Sequence, residues 1–237
     1  GAWPFPDLAR AVSELVAWLT GAPSSGAAAS AGHFGPLAQA VAAFDPDLIV
    51  HVGDYLYREA PCPAGDAGCD GSPYGYDWAT IEADYFAPAG ALFGTEPLAL
   101  TRGNHESCSR AGPVWFRFLD PRPLEAECSN YTEPYAIELG DLQLLMLDSS
   151  AASGRSVGPA QVAIYRQQFD RIDVLAGPRA FLVTHRPMWV FGHAGEQDGQ
   201  EVLFRSNPTL QAASENQLPP GVETVLSGPV GRNRLQV

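Results

Sequence analysis

Several apolar runs in this sequence end in a side chain that can do chemistry. Leu48-Ile49-Val50, with Val52, stops at Gly53 and delivers Asp54, with tyrosines at 55 and 57. Pro97 to Thr101 leads into Arg102-Gly103-Asn104-His105-Glu106. Leu142 to Leu147 ends at Asp148, and Phe181 to Thr184 ends at His185. Carboxylate and carboxamide oxygens together with imidazole suit a divalent or trivalent first-row metal. Two such ions a few ångströms apart form a clamp for phosphoryl transfer. Each residue alone has a plainer reading, because Asp and Asn favour turns and a lone histidine near a strand is more often a hydrogen-bonded core residue. Their recurrence at strand ends is what argues for a site.

Strands must carry these residues. Runs rich in Val and Ile are buried on both faces in parallel sheets, and ligands of open α/β sheets collect beyond the carboxyl ends of the strands. Further strands are predicted at Tyr135 to Leu139 and at Glu223 to Leu226, the latter running on to Ser227-Gly228-Pro229. Helical spacing of Leu8, Val12, Leu15, Val16 and Leu19 predicts a helix from Asp7 to Leu19, after Pro6. A short helix is predicted from Pro36 to Phe44, a helical stretch from Trp78 to Phe86, and a longer helix from Pro159 to about Leu175. That last helix sets Val162, Tyr165, Phe169 and Ile172 on one face. The pattern is that of an α/β fold, and residues 1–237 are expected to form a single domain. Residues 21–35, GAPSSGAAASAGHFG, are small and of low complexity, so a flexible insertion is expected there, with His33 a solvated loop histidine.

The chain has 237 residues and a formal charge of -13, and all its cationic residues are arginines. That balance excludes nonspecific binding to nucleic acid or to an anionic membrane surface, which requires clustered cations. An anion pocket here has to use Arg, His, a metal or backbone amides. Gly 24 and Pro 21 beside a 46% hydrophobic share indicate many ordered loops rather than disorder. Cysteines 62, 69, 108 and 128 are read as two local disulfides, Cys62 with Cys69 and Cys108 with Cys128. A four-cysteine zinc site would show paired short spacings that are absent. Disulfides imply an oxidising compartment, hence a secreted or periplasmic protein. No membrane insertion is expected, and the opening GAWPFPDLAR reads like the middle of a longer chain from which a leader has been removed.

Three motifs, GDYLY at 53–57, GNHE at 103–106 and VTHRP at 183–187, resemble those of the calcineurin-like metallophosphoesterases. Their order and spacing match from about Leu48 to Pro187, and the G-D-x-x-Y tyrosine is similar to that of the purple acid phosphatase branch. The resemblance implies a four-layer α/β/β/α sandwich and a two-metal phosphoesterase acting on small phosphorylated substrates. It implies that Asp54 bridges the metals, that Tyr57 binds the first, and that Asn104 and His185 bind the second. His105 would be the proton donor or an electrostatic stabiliser of the leaving oxygen, while water acidified by the ions attacks phosphorus. Iron, zinc or manganese would serve, and Tyr57 suits ferric iron. Arg102 and Arg186, next to ligands, are candidates to hold phosphate bidentately, with bracing of a loop as the alternative for each.

The family's pattern also includes an Asp from an earlier strand and a closing G-H-x-H. The first is missing before Trp3, and Gly228-Pro229-Val230-Gly231 stands in place of the second. A copy lacking the first strand and the C-terminal strands, with metals only partly bound, is therefore expected. His193 is a candidate replacement imidazole or substrate contact, with a loop histidine as the plainer reading. Two other functions compete. One is a binding domain of the same fold that has lost catalysis. The other is a serine hydrolase, because Gly154-Arg155-Ser156-Val157-Gly158 fits G-x-S-x-G ahead of Asp173 and His185. A nucleophile elbow places its serine directly at a strand end, however, and Ser156 follows Leu147 only after a loop.

Overall fold

The structure, a computed structural model, describes residues 26–228 with breaks at 68, 95, 125–126, 153, 155, 190, 198–199 and 206. Side chains are described outside 26–33 and 191–205. The helix predicted over Asp7 to Leu19 lies outside the described residues. Two compact units emerge: residues 26–49 with 55–98, and residues 50–54 with 99–228.

In the first unit, helix α1 spans Gly26–Ala42 with Pro36 inside it. The sequence reading placed a flexible insertion over 21–35 and a helix start at Pro36. From Gly26 onward that segment is helical instead, because the alanines at 27–29 carry the highest helix propensity. A short helix α2, Trp78–Ile81, is capped by Asp77, whose Oδ1 accepts from the Thr80 amide at 2.9 Å. It runs into a π-turn at Glu82–Phe86 and a 3₁₀ turn at Pro88–Ala91. Tyr85 is the centre of this unit, stacked on Phe34 at 5.6 Å and edge-on to Tyr55 at 4.8 Å and Phe93 at 5.8 Å. Its burial pushes the phenol pKa up. Beside it, buried Asp84 accepts from the Tyr57 amide at 2.7 Å, the Arg58 amide at 2.8 Å and the Arg58 Nε at 2.6 Å. Those bonds fix the chain just after the opening motif.

Strands β1 (Ile49–His51) and β2 (Leu98–Leu100) form a two-stranded sheet. The second unit is built on four further strands: β3 (Tyr135–Leu139), β4 (Leu142–Leu147), β5 (Ala180–Thr184) and, last in the chain, Val222–Ser227, in the order β3-β4-β5-Val222–Ser227. β3 pairs antiparallel with β4, as expected for a strand joined to it by the tight turn at Gly140 (φ +66°). The other neighbours are parallel, and in register Leu147 faces Thr184 and Thr184 faces Ser227. Three strands therefore end in line, and Asp148, His185 and Gly228 follow them at one edge. Helix α3 (Gly112–Phe118) lies between Cys108 and Cys128 and was not among the predicted helices. Helix α4 covers Pro159–Leu175 as predicted, burying Tyr165, Phe169 and Ile172 with Leu145, Leu147, Leu182 and Met188. Each such side chain contributes about 1.5–3 kcal/mol by leaving water.

The hairpin β6 (Phe191–Gln197) and β7 (Gln200–Arg205) and helix α5 (Pro208–Ala213) were not foreseen. The strand after α5, Val222–Ser227, is β8. The hairpin sequence FGHAGEQ is glycine-rich and polar, so its local composition gives little strand signal. Asn207, in the left-handed region at φ 52°, starts α5 by accepting from the Leu210 amide at 3.1 Å. The architecture is the mixed α/β class read from the sequence. Both disulfides, Cys62–Cys69 and Cys108–Cys128, join the expected partners. Among the described residues no helix is long and apolar enough to cross a membrane.

Candidate metal centre

β1 ends in a turn that only a particular pair of residues tolerates. Gly53 has φ +99°, and a Cβ there would lie 2.6 Å from His185 Nδ1 and 2.9 Å from Gly103 Cα. Asp54 follows at φ 61°, a left-handed conformation that costs a non-glycine residue on the order of 1–2 kcal/mol. Such strain persists only where the surroundings over-determine it. Here the Asp54 Oδ1 accepts the His105 amide at 3.1 Å. β2 in turn leads through Gly103 into a 3₁₀ turn, Asn104–Glu106, closed when the Gly103 amide donates to the fully buried Glu106 carboxylate at 3.1 Å. A side chain at 103 would collide with Asp54.

His185 arrives from the end of β5. Its Nδ1 lies 2.8 Å from the Val52 carbonyl, which can only accept, so Nδ1 carries the ring proton and Nε2 presents a lone pair. That lone pair meets Asn104 Oδ1 at 3.1 Å and Asp54 Oδ1 at 3.4 Å. Three electron-pair donors converge with no proton assigned between them, which is the arrangement a cation resolves. Burial lowers the His185 pKa against the opposing charge of Asp54, and this favours the neutral ring that ligates metals. Ser149, fully buried, holds the strand end by accepting from the His185 amide at 3.0 Å and the Arg186 amide at 2.8 Å.

His105 stands on the other side of Asp54, its Nε2 4.0 Å from Oδ2. Arg110 donates from one terminal nitrogen toward His105 Nδ1 at 2.7 Å and from the other to the Asn104 carbonyl at 3.3 Å. Arg186 is half-buried, and its Nε is a buried donor without a hydrogen-bond partner in the structure. Burial lowers the Arg186 pKa, with Asp54 pulling the other way and Arg110 adding to the decrease. His51, inside β1, accepts from the Gly53 amide through Nδ1 at 3.2 Å. Burial first, and then the His185 ring, bring its pKa down to about 4.

Asp54, Asn104, His105 and His185 are thus brought together within the second unit. Tyr57 belongs to the first unit and is 43% exposed. Arg102 is not at hand for a substrate. It is 2% exposed and spends its guanidinium on the Glu106 carbonyl (2.8 Å), the Ser129 carbonyl (2.6 Å) and Asp148 (3.2 Å), with the Cys108 sulfur at 3.6 Å. The loop-bracing alternative is the one observed. Asp148, a strand-end candidate, turns out to be the other half of that brace and also accepts from Thr132 at 2.8 Å and the Ser150 hydroxyl at 2.6 Å. His193 sits in β6 opposite Leu203 rather than in a loop, and its side chain lies outside the described residues. Ser156 is in the loop between β4 and α4, not at a strand end, and Asp173 is exposed on α4.

The sequence reading missed His51, Arg110 and Ser149. A histidine interrupting an apolar strand next to a motif was a usable signal for the first. Nothing local distinguishes Arg110 or Ser149, which matter only through the fold. One other group of metal-capable side chains exists among the described residues, Cys62, Asp66 and Cys69. Its two sulfurs are spent on the disulfide.

No curated protein matches the chain. The family described as calcineurin-like phosphoesterase matches residues 30–228, a span containing every residue of the centre. Members act on phosphorylated substrates, generally with divalent metal ions. On that match, which runs through most of its length, this chain belongs to the calcineurin-like phosphoesterases.

Proposed function

We propose that this protein is a metal-dependent hydrolase of small phosphate esters, of the purple acid phosphatase-like kind. The observation that carries the reading is the convergence of the His185 Nε2 lone pair, Asn104 Oδ1 and Asp54 Oδ1. Asn104, His185 and Asp54 would hold one ion. Asp54 would be shared with a second ion. Iron, zinc and manganese fit such oxygen and imidazole donors. Bound ions supply Lewis acidity, neutralising phosphoryl charge and acidifying water. The chain's own residues do the rest. Val52 and Ser149 orient His185, the Gly53–Asp54 turn aims the carboxylate, and the unpartnered Arg186 Nε is a donor that a phosphoryl oxygen would satisfy. No described contact supports His193 as a further substrate contact. The family match runs through both compact units and supports treating them as one phosphoesterase domain. The disulfides support secretion or a periplasmic location.

A second reading, a binding domain of this fold with impaired catalysis, is favoured by Gly228. It is buried at the end of β8 and donates to the His185 carbonyl at 3.0 Å. A Cβ there would lie 2.9 Å from that oxygen and 3.0 Å from His185 Nδ1. Among the described residues this strand end offers no ligand, and the second ion would be the weaker one. Metal content after reconstitution with iron, zinc or manganese, together with turnover of an aryl phosphate, separates the readings. The hydrolase reading expects one tightly held ion, a weaker second and measurable turnover, all lost in Asp54→Asn. Absence of turnover at any metal, with or without metal uptake, supports the binding domain, and two tightly held ions per chain with turnover overturn it.

A further inference from the structure

We propose that Arg110 is a positioning residue that fixes the His105 ring with its proton on Nε2, making His105 a hydrogen-bond donor to a phosphoryl or leaving oxygen and not a source of protons. A guanidinium has only N–H groups to offer and stays charged. At 2.7 Å from an Arg110 nitrogen, His105 Nδ1 must therefore be the acceptor, and the single ring proton belongs on Nε2. That nitrogen is the one on the Asp54 side, 4.0 Å from Oδ2 and outside hydrogen-bond range of that oxygen. Giving up this proton would leave an imidazolate. Keeping a proton to give would require a second one on Nδ1, where the guanidinium stands.

The placement of Arg110 is built, not incidental. Residues 107–112 fold into a tight turn in which the Arg110 and Gly112 amides both donate to the Ser107 carbonyl at 2.9 Å. The Cys108–Cys128 disulfide ties this turn to the loop beyond α3, and the Cys108 amide donates to Asn130 Oδ1 at 2.8 Å. Gly112 lies against the Cys128 sulfur so closely that a Cβ would come within 2.8 Å of it. Arg110 is delivered from this pinned turn back onto Asn104 and His105, bonding the carbonyl of one and the ring of the other.

This role rests on the phosphoesterase reading for its meaning, but the tautomer itself does not. A site whose histidine donates a hydrogen bond without transferring a proton handles good leaving groups such as aryloxides and is slow with alkyl esters. The decisive measurement is a two-bond proton–nitrogen correlation spectrum of the metal-free protein labelled with ¹⁵N-histidine, with His105→Asn used for assignment. The expected spectrum shows His105 with Nε2 protonated and Nδ1 bare, unchanged in Arg110→Lys and averaged between the two tautomers in Arg110→Met. A wild-type ring protonated on Nδ1, or an Arg110→Met spectrum identical to wild type, overturns the proposal. The wild-type spectrum decides even if the methionine variant does not fold. In the manganese-loaded protein, Arg110→Met is expected to raise alkyl ester turnover relative to aryl ester turnover by about tenfold or more, since it restores the option of acid catalysis. Absence of turnover with either ester defeats the phosphoesterase reading alone and leaves the spectrum to judge Arg110.

Discussion

His51 shows how a single side chain can carry a pH dependence. Its pKa of about 4, against an ordinary 6.5, means that the unfolded chain takes up a proton as pH falls through 6.5 while the native chain does not. The native state therefore loses stability between about pH 6.5 and 4, by at most about 3 kcal/mol, and gains nothing from this group above 6.5. His185, also lowered by burial, pulls the same way, and Asp54 opposes both. Urea midpoints in the presence of a chelator should fall steeply over this range for the wild type. His51→Asn, which keeps an acceptor for the Gly53 amide, should flatten the acid limb while leaving the midpoint at pH 8 nearly in place. An equally steep limb in the variant would assign the effect to other groups.

At the scale of elements, the strands determine where chemistry can occur, and the helices determine whether the strands hold. β4, β5 and β8 end in register, so His185 and Gly228 share an edge with Asp148. Asp148 nevertheless faces the Arg102 brace rather than the candidate metal donors, because Thr132 and Ser150 claim its oxygens. α4 contributes no donor to the centre; it supplies burial, with Tyr165 and Ile172 wholly enclosed, and bonds from Gln161 to the Ala151 carbonyl and from Gln168 to the Thr132 carbonyl. Ile172→Ala is expected to cost about 2–5 kcal/mol of stability, from lost transfer energy and the cavity left behind. Below its melting temperature, its affinity for manganese should match the wild type, measured by calorimetric titration. A parallel loss of affinity would mean that the centre is coupled to this packing.

Across the molecule as a whole, the two disulfides sit differently with respect to function. Cys62–Cys69 closes a loop in the first unit, whereas Cys108–Cys128 holds the turn that carries Arg110 and touches Arg102. Replacing Cys108 and Cys128 by serine should cost about 2–4 kcal/mol and lower metal affinity in the folded protein. Replacing the other pair should affect stability alone, and thermal melts with metal titrations on both double variants distinguish the two.

The sequence by itself determined the α/β class, the strand-end placement of Asp54, Asn104 and His185, the long helix at Pro159–Leu175 and the cysteine pairing. Those features are written locally, in apolar runs stopped by glycine, in helical spacing and in short separations between cysteines. It did not reveal that Gly26–Gly35 is helical, because small residues broken by glycine show no apolar period, or that a hairpin follows Val190, because glycine and polar residues give little strand signal. Nor could it separate Arg102 from Arg186. Both stand near a candidate ligand in the chain, yet only the tertiary structure shows one guanidinium sealed among carbonyls and the other with a buried, unpartnered nitrogen. The protonation pattern of the two site histidines was likewise out of reach. It depends on whether a carbonyl or a guanidinium meets Nδ1, and those partners, Val52 and Arg110, reach the rings only once the chain has folded.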